Sequence, residues 1–68
     1  MQQGTVKLWE KSKGYGFIVG DDDEEYFVHV SDLDVTTKPH MLREGVRVAF
    51  DVRSDLKGEK AVHVRILR

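Results

Sequence analysis

"KGYGFIVGDDDEEYFVHVS", Lys13 to Ser31, places four aromatic rings and a histidine within nineteen residues and runs five consecutive acids through the middle. Side chains on a strand alternate between its faces, so Tyr15 and Phe17 fall on one side and Gly16 and Ile18 on the other. Ile18 belongs in a core. After the acids, Val28 belongs there too, which sends Phe27 and His29 to the opposite face. The alternation predicts an outward set of Tyr15, Phe17, Phe27 and His29 on neighbouring strands. The reverse assignment would push Ile18 and Val28 into water while burying Gly14 and Gly16. The run Asp21 to Glu25 lacks the alternating ligands and turn glycine of a calcium loop, and reads as a solvated hairpin tip, away from core and rings.

Upstream, "GTVKLWEK" (Gly4 to Lys11) alternates Val6 and Leu8 with Thr5, Lys7 and Trp9, which predicts Trp9 and Lys7 beside the outward rings. Downstream, Val46, Val48, Phe50 and Val52 alternate with Arg47, Asp51 and Arg53, and Val62, Val64 and Ile66 alternate with His63, Arg65 and Leu67. "SDLKGEK" (Ser54 to Lys60) between them supplies a turn, so these two runs predict a hairpin. The only room for a helix is Asp32 to Glu44, and Pro39 interrupts it. Ser31 with Asp34 predicts one short capped turn there, Leu33 facing the core. Five short strands must hide their edges, and closing into a small barrel does so.

The 68 residues predict one domain, 1–68, near the lower limit of what folds alone. Eleven Lys and Arg against twelve Asp and Glu give a net charge of −1, which argues against a protein that grips duplex nucleic acid by charge. Lys7, Lys11 and Lys13 nevertheless cluster before the rings, and Lys38 adds a further rim charge. There is no cysteine, and His29, His40 and His63 stand in no metal-ligand spacing, so neither a disulfide nor a metal site is expected. Ser12, Ser31 and Ser54 have no nucleophile motif around them, and the glycines do not match a phosphate-cradling loop. The expectation is a binding module with no catalytic residue and no cofactor. No signal peptide or membrane-length apolar run is evident, which predicts a cytoplasmic protein, and nothing demands more than a monomer. Exposed rings flanked by glycine and lysine suit the stacking of unpaired bases, worth about 1–3 kcal/mol each, with pyrimidine-rich single strands preferred to duplex. The alternative is a protein-interaction module using the same patch.

"KGYGFI" (Lys13 to Ile18) and "YFVHVS" (Tyr26 to Ser31), with "GTVK" before them and "LREGVRVAF" (Leu42 to Phe50) after, resemble the cold-shock domain family over nearly the whole chain. The first motif also partly fits the RNA recognition motif, but that fold needs two helices. The resemblance implies an all-β, five-stranded antiparallel OB-fold barrel with one short helical turn after strand 3. It implies binding of single-stranded RNA or DNA. Members act as ATP-independent RNA chaperones, in bacteria often in cold adaptation and transcription antitermination. It further implies stacking at Tyr15, Phe17, Phe27 and His29 and basic contacts at Lys7 and Lys13. The expected interface is thus Lys7, Trp9, Lys13, Tyr15, Phe17, Phe27, His29 and Lys38. The sequence departs from the family pattern at Lys7-Leu8-Trp9-Glu10, where Lys-Trp-Phe-Asn is usual, and at Val30, where Phe is usual. "KPHM" lacks the loop aromatic, and His63 replaces an asparagine. A weaker or shorter site is expected.

Overall fold

The computed structural model describes residues 1–67, and its five strands close into a barrel. They are β1 (Gln2–Glu10), β2 (Tyr15–Gly20), β3 (Glu25–His29), β4 (Arg47–Asp55) and β5 (Gly58–Ile66), in the spatial order β1-β2-β3-β5-β4, with β4 returning to β1. All neighbours are antiparallel except β3 and β5, which meet in parallel through only Phe27↔Lys60 and Val28↔Ala61. The five-stranded OB-type barrel expected from the sequence is present, and it closes through this one parallel seam.

The core is what the alternation of β2 and β3 demands. Val6, Ile18, Val28, Val48, Phe50, Ala61 and Val64 are all essentially inaccessible, and Tyr26 joins them with its ring 5.1 Å from that of Phe50. The one-turn 3-10 helix at Val30–Asp32 follows β3 as expected, but its cap differs. The Nδ1 of His29 accepts the Ser31 backbone N–H at 3.1 Å, so the histidine caps the turn that Ser31 was expected to start. A second turn, Pro39–Met41, uses Pro39 at its first position, where the missing N–H costs nothing.

Two strands carry bulges, and both shift the phase of alternation. In β1, Val6 faces Ile18 but Leu8 faces Phe17, so Lys7 is an extra residue. In β5, the step from Ala49↔Arg65 to Asp51↔Val62 takes two residues of β4 but three of β5, so β5 carries one extra residue, and His63 occupies the bulge with φ +53°. That is the left-handed region, which Asn tolerates best and His visits more than most residues. Because of this bulge, Ala61 and Val64 line the core while Val62 is buried outside the main cluster. The expectation that Val62, Val64 and Ile66 share one face is corrected accordingly.

The acidic hairpin tip is also more engaged than a solvated loop. Arg47 of β4 holds Asp21 with both terminal nitrogens, at 2.8 and 3.0 Å, and Glu25 accepts from Lys7. Asp22 accepts the Tyr26 hydroxyl at 2.6 Å. That bond, and then burial, pushes the Tyr26 phenol up to about 12, while the same bond holds the Asp22 carboxyl below its ordinary value. A phenol whose folded value lies above its unfolded value of about 10 stabilises the fold below pH 10. Its contribution is lost as pH rises from there towards 12. Urea unfolding midpoints should therefore drop over this range more in the wild type than in Tyr26→Phe, and equal drops would remove the bond from the account. On the acid side the Asp22 contribution is present above about pH 4 and lost as pH falls through the depressed value.

Candidate functional site

The outward face of β2 and β3 carries the rings. Gly14, with φ +75°, ends the β1–β2 turn by donating its N–H to Glu10 O and accepting that of Val30, which locks the start of β2 against the end of β3. In this register Tyr15 opposes His29 and Phe17 opposes Phe27. Tyr15 stacks on Phe27 at a centroid distance of 5.8 Å and 29°, and Phe17 meets Phe27 edge-on at 5.7 Å and 73°. The three rings are half-buried, and His29 is exposed. Opposed residues share a face, so Leu8, opposite Phe17, extends the platform onto β1.

Trp9 does not extend it. The bulge at Lys7 reverses the phase of β1, so Trp9 faces Gly16 and packs against the core. A Cβ on Gly16 would stand 2.9 Å from both Cα and Cε3 of Trp9, which shows how the missing side chain makes room for the indole. The placement of Trp9 among the outward rings is thus corrected. Its place is taken by Leu8, 42% exposed. The signal was in the sequence: a glycine on the inward side of β2 leaves a hole that only a large neighbour on the next strand fills.

The lysines divide. Lys7 donates to Glu25 Oε2 at 2.9 Å, and this exposed bridge spans the outer face of β2 and bounds one end of the platform. An exposed pair of this kind adds little to stability. Lys13 and Lys11 lie exposed in the β1–β2 turn. Lys38 is exposed before the Pro39 turn, its backbone N–H against Met41 Sδ, and it is not among the residues that line the groove beside the rings.

That groove, roughly 620 Å³, runs from Phe17, Phe27 and His29 past Ser31 and Asp32 to the β4–β5 hairpin, where Asp55, Lys57, Gly58, Glu59 and Lys60 form the far wall. The hairpin residues are absent from the expected interface because only barrel closure brings them to β3. Lys60 lies 3.5 Å from Asp32 across the floor. Ser31 N–H binds Nδ1 of His29, and the Ser31 hydroxyl also sits 2.8 Å from it. An Nδ1 that accepts leaves Nε2 to carry the proton, so the ring offers one flat face and one outward donor. The arrangement can stack flat apolar groups on the rings, donate to their carbonyls from His29, and hold anions at the lysines.

Residues 2–67 match the model of the family described as "'Cold-shock' DNA-binding domain". A cold shock-like protein of Aquifex aeolicus is 44% identical over 66 residues, covering 96% of this chain and 93% of that protein. Cold shock protein 1 of Lactiplantibacillus plantarum is 44% identical over 64 residues, covering 94% and 96%. A major cold shock protein of Streptococcus pyogenes serotype M1 is 41% identical over 64 residues, covering 94% of each.

Proposed function

The chain belongs to the cold-shock DNA-binding domain family, and on that premise we propose that it is a cytoplasmic, monomeric binder of single-stranded RNA or DNA that acts as an ATP-independent RNA chaperone. The observation that carries the reading is the continuous outward surface of Leu8, Phe17, Phe27, Tyr15 and His29. A duplex hides the faces of its bases, whereas a single strand lays them on such rings for about 1–3 kcal/mol each. Flexible pyrimidine-rich strands give up little self-stacking to do so and are the preferred ligands. Lys7 and Lys13 contact phosphates at the rim, and Lys38 adds a more distant charge. No bond is made or broken in this work. Trapping open strands shifts an RNA hairpin towards its unpaired form by the difference in affinity between the two forms. Roles in cold adaptation and antitermination are the family's, and follow from the same activity.

An RNA hairpin with a fluorophore and quencher at its ends tests this, alongside titrations with oligothymidine, oligouridine, oligoadenine and a duplex. Opening without nucleotide triphosphate is expected, with pyrimidine strands bound more tightly than oligoadenine or duplex. The salt slope should be shallow, about 1–3 in log affinity per log salt. Duplex bound as tightly as single strand, or a hairpin left shut at concentrations that saturate oligothymidine, would favour a protein-interaction role for the patch.

A further inference from the structure

The strand registers align Leu8, Phe17, Phe27, Lys60 and Arg53 in one row that crosses all five strands, through Leu8↔Phe17, Phe17↔Phe27, Phe27↔Lys60 and Lys60↔Arg53. Directly opposed residues share a face. The row therefore changes character at the parallel seam, from apolar on β1, β2 and β3 to cationic on β5 and β4. The Lys60 ammonium lies 3.5 Å from Asp32 Oδ2, a longer contact than the 2.9 Å between Lys7 and Glu25, and that oxygen accepts no hydrogen bond among the described residues. Arg53 is exposed and makes no ion pair among the described residues. The acids two positions to either side of it are engaged elsewhere. Asp51 Oδ2 lies 3.1 Å from His63 Nδ1, and Asp55 Oδ1 accepts the Lys57 N–H at 2.8 Å.

Building on the single-strand reading, we propose that the strand's path continues past Phe27 over the seam, and that Lys60 and Arg53 hold backbone phosphates beyond the stacked bases. Lys60 serves as a point charge and Arg53 as a fork that can grip two phosphate oxygens. Neighbouring strands lie about 4.8 Å apart, so Arg53 stands about 10 Å beyond Phe27, within reach of the next one or two nucleotides. An oligonucleotide just long enough to cover the rings does not reach these cations. A longer one does.

The test compares oligothymidines of four and eight nucleotides on the full chain at two salt concentrations. In R53Q the ratio of eight-mer to four-mer affinity should fall about three- to tenfold, and the eight-mer salt slope should drop by about 0.7, the value for one phosphate on a single strand. R43Q removes the same charge from an exposed loop position off the row and should leave the ratio unchanged. K60Q should act in the same direction as R53Q, with its melting temperature measured beside it because Asp32 loses its partner. R53Q decides the matter whatever K60Q does. An unchanged ratio in R53Q, or an equal fall in R43Q, would overturn the extended path while leaving the platform intact. A wild type that binds neither oligonucleotide would instead overturn the single-strand reading on which the path rests.

Discussion

Replacing both Phe17 and Phe27 with alanine should weaken oligothymidine binding about thirtyfold or more while leaving the barrel folded. Each ring is worth about 1–3 kcal/mol to a stacked base, and the two are in edge contact, so their losses are coupled and need not sum. Stability should suffer far less. The rings sit on the outer face, and the residues beneath, Ile18 and Val28, remain to fill the core. The two lost cross-strand pairs, Phe17–Phe27 and Tyr15–Phe27, are worth about 0.2–1 kcal/mol each, against about 2–5 kcal/mol for Ile18→Ala, which opens a cavity in a packed interior. Titration and thermal melting on the same three proteins separate these effects. A double variant that melts as early as Ile18→Ala would mean that the rings are structural.

Gly16→Ala should be the most damaging small change in the chain. The added methyl would meet Trp9 Cα and Cε3 at 2.9 Å and crowd the Leu8 carbonyl, so β1 backbone has to move. Overpacking typically costs about 1–3 kcal/mol and more where backbone must yield, a large share of the stability available to so short a chain. Displacing β1 also separates Leu8 from Phe17, so the fraction that stays folded should bind less tightly. Gly45→Ala is the comparison: its Cβ meets nothing within 4 Å, and only the φ of +93° resists it, at about 1–2 kcal/mol. Melting of Gly16→Ala within a few degrees of wild type would contradict the close approach of Trp9.

Local alternation was enough for β2 and β3, because no bulge interrupts them and each has one residue, Ile18 or Val28, that only a core suits. The platform of Tyr15, Phe17, Phe27 and His29 was legible for that reason. In β1 and β5 the same rule failed after a single inserted residue, Lys7 or His63, since a shift of one position exchanges the two faces. Leu8 and Trp9 changed places, and Val62 left the core cluster. The usual asparagine at the position of His63 hinted at a left-handed residue, and Gly16 hinted at the indole above it. Nothing local hinted at Lys57 and Lys60. They reach the groove through a pairing between residues thirty-three positions apart in sequence, Phe27 with Lys60, and no periodicity within either segment encodes that distance.

That same short seam is the narrower of two welds between the β1–β2–β3 meander and the β4–β5 hairpin, the other being the four-pair join of β1 to β4. The meander of β1, β2 and β3 and the β4–β5 hairpin are built from pairings local in sequence, whereas the β3–β5 join must close a long loop for the return of two residue pairs. With only two pairs to repay that cost, this weld is the one expected to close late and open early. The groove straddles this line, with rings on one bank and the hairpin wall on the other. A ligand lying across it is a staple over the weld: it binds only the closed form, so it retards unfolding as well as shifting the equilibrium, and the domain becomes hardest to open while it is holding something else open.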